Sequence, residues 1–208
     1  MSGFSRQAHW ENVYATKSEN EVSWFEESSK ISLDLIRATG ATPTTSIIDI
    51  GGGASRLVDA LIAAGYEQVT VLDLSEAALS TARARLGGKA AKVTWVVVDV
   101  TAWEPREAYD VWHARAAFHF LTKPDDRTAY LACLTKALRP DGYAIIGTFA
   151  PDGPERCSGL PVMRYDAVGL GKTLGNAFEL AATRRHVHRT PGGGTQSFQF
   201  SVFRRAQT

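Results

Sequence analysis

Short, strongly apolar runs alternate along this chain with longer stretches that repeat at helical spacing. Ile47-Ile48-Asp49-Ile50 is one such run, and it passes directly into glycines. Residues 69–72 and 93–98 repeat the pattern, and residues 109–112 and 143–149 read as two further strands. Between them, residues 56–64, 76–86 and 125–138 carry apolar side chains three and four positions apart, which places them on one helical face. Pro140 is expected to stop the last of these helices. An earlier helix is predicted over residues 28–39, with Ile31, Leu35 and Ala38 near one face and Gly40 as its stop. The run 93–98 is almost wholly apolar, which predicts a strand covered on both faces.

Strands alternating with helices predict an α/β fold: a doubly wound, mostly parallel seven-stranded sheet with helices on both faces. The end of the chain differs. Residues 178–189 and 196–204 are strand-like and flank Thr190-Pro191-Gly192-Gly193-Gly194-Thr195, so the sheet should finish with an antiparallel hairpin. One domain is expected overall. Residues 1–45 would form a helical, aromatic lid segment carrying Trp10, Tyr14, Trp24 and Phe25, and residues 46–208 the ligand-binding domain.

Composition narrows the partners. A net charge of +1, from 23 basic and 22 acidic residues, gives no long-range attraction to nucleic acid or to an anionic membrane. No apolar run approaches the ~18–20 residues of a membrane span, and the first 11 residues lack a signal-peptide core. Cys133 and Cys157 have no metal-ligand spacing. A reducing, cytoplasmic setting is expected.

The chemistry starts at the glycines. Asp49-Ile50-Gly51-Gly52-Gly53-Ala54-Ser55 joins a strand to a helix, where glycines let the backbone turn tightly and approach a ligand. A dinucleotide fingerprint needs a third glycine where Arg56 stands, and no phosphate-loop pattern is present. Two more strands end in acids, at Asp73-Leu74 and at Asp99-Val100. A carboxylate at the second position can accept both ribose hydroxyls of a nucleoside. Asp99, just before Thr101, also fits a simple helix cap.

The D-x-G-x-G loop followed by two strand-end acids resembles the class I S-adenosylmethionine-dependent methyltransferases. The resemblance implies S-adenosylmethionine as cofactor, with Asp49 near its amino acid part, the glycines and Ser55 making room for it, Asp73 and Leu74 at the ribose, and Asp99 and Val100 at the adenine. A further likeness covers most of the chain: His9-Trp10-Glu11-Asn12-Val13-Tyr14, Val22-Ser23-Trp24-Phe25, Phe118-His119-Phe120-Leu121 and the stretch from Phe149 to Leu160. These look like a small bacterial group of class I methyltransferases, related more loosely to eukaryotic protein-lysine methyltransferases. In that group an Asp precedes the Arg after strand four; here Ala114 precedes Arg115. Arg115, Tyr14 and Trp24 complete the expected cofactor set.

The acceptor is harder to read. The [DN]-P-P-[YFW] pattern of enzymes that methylate nucleobase or amide nitrogen is absent after strand four. His119 is the candidate general base, needed only if the acceptor arrives protonated, and packing between Phe118 and Phe120 is its plainer reading. His113 reads as a strand end. No metal is expected: His186 and His188 share a strand face but would need a third donor, and a surface hairpin is the simpler reading. Cys157 sits in a Pro- and Gly-rich loop with no visible activator. The expected function is methyl transfer to a small molecule, favoured over a protein side chain; an NAD-dependent oxidoreductase and a non-catalytic cofactor-binding protein are the alternatives.

Overall fold

Residues 46–50 sit at the centre of the molecule because every one of their side chains is buried. The computed structural model describes residues 5–207. Helices α1 (Arg6–Thr16) and α2 (Lys30–Ala38) precede the first strand, β1 (Ser46–Ile50). Successive β1 side chains point to opposite faces. Ile48 and Ile50 join Trp112, Ile146 and Phe203 on one side, and Ile47 joins Val69, Val111 and Ile145 on the other.

Helix α3 (Leu57–Ala63), strand β2 (Gln68–Asp73), helix α4 (Glu76–Leu86) and strand β3 (Val93–Val97) follow in turn, then strand β4 (Tyr109–Arg115), helix α5 (Pro124–Ala137) and strand β5 (Leu138–Phe149). All five strands run parallel. A small separate ribbon, β6 (Arg156–Cys157) with β7 (Leu160–Pro161), and helix α6 (Ala167–Leu174) lead to β8 (Phe178–Arg189) and β9 (Thr195–Arg205). β9 inserts antiparallel between β5 and β8, giving the order β3-β2-β1-β4-β5-β9-β8. Leu35, Leu57, Leu61 and Leu79 from α2, α3 and α4 cover one face; Tyr130, Leu134 and Leu170 from α5 and α6 cover the other. Each such buried side chain is worth about 1.5–3 kcal/mol. Trp112 Nε1 donates to Tyr130 Oη at 2.7 Å, which satisfies both polar groups inside the core.

The sheet is the expected one, with local differences. β3 is the outermost strand and is only half covered, with Val97 40% exposed, so its apolar run marks an edge, not a centre. Pro140 does not end a helix. It lies inside β5, which starts at Leu138, where the pairing with β4 is irregular between Tyr109 and Val111. A proline without an N–H fits a strand only at such a break, and Asp141 beside it takes φ +63°. Two helices escaped the periodicity. α1 buries only Val13, and α6 contains Gly169 and Gly171. Among the described residues no helix is long and apolar enough to cross a membrane.

Candidate active site

In register, Asp49 of β1 lies beside Val71 and His113, so the carboxyl ends of β1, β2 and β4 share one edge of the sheet. Open α/β sheets bind ligands at that edge. The chain leaves β1 through Gly51 at φ +66°, in the left-handed region that favours glycine. The Gly51 and Gly52 N–H groups both donate to the Leu72 carbonyl, at 2.8 and 3.2 Å. A Cβ on Gly52 would fall 2.7 Å from Asp49 Oδ2, so only glycine lets the loop fold over this carboxylate. Asp49 itself is buried and tied off: its Oδ1 meets His113 Nδ1 at 2.7 Å, and His113 Nε2 meets Ser32 Oγ at 2.9 Å.

A cleft of about 810 Å³ opens above the ends of β2 and β3. Asp73, Leu74, Asp99 and Val100 all line it. Asp73 is buried, and its Oδ1 accepts one bond from the Ser75 N–H at 2.8 Å. Burial, with help from Asp49, pushes this carboxyl up to about 7 despite its backbone donors. A carboxylate raised this far by burial would gain from two further donors, such as a pair of ribose hydroxyls. Asp99 holds both positions read from the sequence. Its Oδ1 caps the next turn through Thr101 N and Oγ1, at 2.9 and 2.7 Å, and Oδ2 meets Arg6 Nη2 at 2.9 Å.

The roof is aromatic. Trp10 packs edge-on against Trp24 and Phe120, with centroids 5.4 and 5.0 Å apart. Trp24 Nε1 donates to Tyr14 Oη at 3.1 Å. Burial and the neighbouring Asp73 push the Tyr14 phenol well up, so it stays neutral. Such π-faces attract a sulfonium cation. α1 is held to α4 by Glu11, which accepts from Ser75 Oγ at 2.8 Å and from the Ala77 N–H at 3.1 Å.

Arg115, at the end of β4, lines both this cleft and a second one of about 580 Å³ that adjoins it at Tyr14, Trp24 and Gly51. Asp49, Gly52, Ser55 and His113 line the second cleft. Arg115 Nη1 donates to the Trp24 carbonyl at 3.0 Å, and the guanidinium lies 4.8 Å from the Phe198 ring centroid. Nη2 is 2.9 Å from Glu26 Oε1 but out of hydrogen-bond alignment, and Nε also lacks an aligned acceptor. The next residue, Ala116, takes φ +55° and lines the main cleft. Backbone strain of this kind concentrates at ligand sites.

The structure moves one expected residue out of the site. His119 is fully buried and lines neither cleft. Its Nδ1 accepts from the Phe149 N–H at 3.2 Å, and its ring packs on Phe120 and Phe149. Burial, then Arg115, push it down to about 3. His119 thus packs in the core away from both clefts, and its position gives the expected role as base no support. Gly53 lines neither cleft directly; a Cβ there would fall 3.0 Å from Tyr14 Oη. Ala114, where the related group carries an Asp, is wholly buried in the core. Sequence reasoning missed Arg6, Glu11, Leu121 and Tyr130. Arg6 and Glu11 lie on α1, whose weak periodicity hid the element that carries them. Cys157 does line the cleft, but burial pushes its thiol up to about 11, so it is no nucleophile.

Residues 47–142 match the methyltransferase domain family, a stretch that holds all three strand-end acids. A malonyl-[acyl-carrier protein] O-methyltransferase from Anoxybacillus flavithermus is 32% identical over 108 residues, which is 51% of this chain and 40% of that relative. The match thus spans less than half of the relative's own length. The solved structure of 1,6-didemethyltoxoflavin-N1-methyltransferase from Burkholderia thailandensis, with bound 1,6-didemethyltoxoflavin and S-adenosylhomocysteine, has a TM-score of 0.76 at 21% identity, covering 97% of this chain and 87% of that one. N-methyltransferase NodS from Bradyrhizobium japonicum, in complex with S-adenosyl-L-homocysteine, gives 0.73 at 15% identity, covering 98% and 100%. Residues 47–142 are thus similar to a methyltransferase domain, and the seven-stranded sheet has the fold of these solved methyltransferase structures.

Proposed function

We propose that this chain transfers a methyl group from S-adenosylmethionine to a small-molecule acceptor. One observation carries the reading. A buried Asp73 sits between a glycine loop that admits no side chain and a roof of aromatic faces. Asp73 would hold the ribose, and Asp99 with Val100 the adenine. Arg115 and the second cleft suit the amino acid part, because Arg115 lines that cleft and its Nε has no hydrogen-bond acceptor among the described residues, beside an Nη2 already paired with Glu26. S-adenosylmethionine supplies an electrophilic methyl on sulfur; the protein's own task is to align the acceptor and exclude water.

The acceptor side supports a small molecule. Trp10, Phe120, Leu121 and Cys157 enclose it, and Arg6, Tyr14 and Trp24 from the segment ahead of β1 line the same cleft. Among the described residues, Trp10, Phe120 and Leu121 on this side carry no acid or base. The acceptor therefore brings its own lone pair, as a thiolate, a carboxylate or a neutral amine does. The nicotinamide reading loses its anchor, since Arg56 at the third-glycine position pairs with Glu19 at 2.6 Å and stacks over Phe25.

Titration calorimetry with S-adenosylmethionine, S-adenosylhomocysteine and NAD tests this. Binding of the two sulfur compounds and not NAD is expected, lost in Asp73→Ala while the variant stays folded. Binding of NAD alone, or unchanged affinity in the variant, overturns it.

A further inference from the structure

His186 and His188 stand two apart on β8 and present one face, and the fold brings a third donor to it. Glu26, two residues beyond Trp24, places Oε1 3.7 Å from His186 Nε2 and 3.6 Å from His188 Nδ1. The three donor atoms lie within 4.8 Å of one another. His188 Nε2 lies 2.8 Å from the Ser23 carbonyl oxygen. A carbonyl can only accept, so Nε2 carries the proton and Nδ1 offers a lone pair. That lone pair faces the Glu26 carboxylate, whose Oε1 also pairs with Arg115 Nη2 at 2.9 Å, so two acceptors stand opposed across the gap. A metal cation bridges them well.

We propose that Glu26, His186 and His188 bind a divalent first-row transition metal, Zn²⁺ by preference. Two neutral imidazoles and a carboxylate are a known zinc set, with a fourth position left to water. An open cleft lined by Glu27, Ser28 and Thr190 lies beside the three and admits that water. The Nε2–H bond from His188 to a backbone carbonyl is the usual way a ligand histidine is aimed. Arg115 and Arg189 oppose a cation here, whereas Glu26 and Glu27 favour it. A bound metal would clasp the segment that carries Trp24 onto the terminal hairpin.

Co²⁺, which reports its ligands by visible absorption, is the probe. Titrating the whole metal-free chain should give saturable one-to-one uptake with visible bands that Zn²⁺ abolishes. His186 is half-exposed on an edge strand, so His186→Ala should keep the metal-free melting temperature. It should weaken Co²⁺ at least ~10-fold and lose the Zn²⁺-induced rise in melting temperature. No saturable uptake by the parent chain, or equal uptake by His186→Ala, overturns the site.

Discussion

At Asp73 burial raises a carboxyl despite its backbone donors, and on the proposed ribose role this makes cofactor binding pH-sensitive. Its value in the ligand-free protein is about 7, against 3.8 for a free carboxyl. Accepting two ribose hydroxyls requires the ionised form, so below about 7 the cofactor must displace a proton. Affinity for S-adenosylhomocysteine should rise from pH 6 to pH 8 and then level, by up to about 10-fold per pH unit on the acid side. Asp73→Asn should flatten that profile, as calorimetry across the range would show. The stability sign is opposite. A raised carboxyl contributes stability fully below about 3.8 and loses it as pH climbs through about 7. The ligand-free protein should therefore lose that contribution between about pH 4 and pH 7, and the melting-temperature gain from S-adenosylhomocysteine should grow over the same range. His119 illustrates the limit of residue-level reading: its type and position fitted a base, but only the packing of Phe149 and the charge of Arg115 decide that it stays neutral.

At the scale of elements, α1 is the informative piece. Its contact with α4 runs through Glu11, which satisfies N–H and hydroxyl groups at the α4 N-terminus directly after Asp73. Glu11→Ala should cost about 1 kcal/mol by loss of that cap. Amide exchange along α1 should quicken and cofactor affinity should fall several-fold; exchange as slow as in the parent chain would show that the aromatic contacts alone hold the roof. The sequence displayed β1, β2, α4 and the terminal hairpin almost to the residue, because each buries a regular stripe between turn residues. α1 and α6 were illegible for the converse reason: one buries a single side chain, and the other is glycine-rich and held by its Asp166 cap. The candidate site divides the same way. Asp73, Asp99 and the glycine loop are strand-end positions and could be read. Arg6, Glu11 and the Glu26 donor reach their partners across 60 to 160 residues of chain and could not.

For the whole molecule, the two apolar layers on either side of the sheet set stability. Phe200 is almost fully buried and lies over Gly147, where a Cβ would fall 2.7 Å from its ring. It couples β9 to the parallel half of the sheet. Phe200→Ala should cost about 3–5 kcal/mol, read as a lower denaturant midpoint with the slope unchanged. The strand order that makes Phe200 so central also has a consequence during synthesis. β8 is made before β9 yet pairs only with it, and β5 keeps one edge bare for more than forty residues of further translation. On the ribosome, then, two strands wait side by side for a third, and the Phe198 ring beneath Arg115 arrives only with that third strand. Closure of the sheet and completion of the Arg115 surroundings therefore fall in one step, after every residue that lines the main cleft has been made.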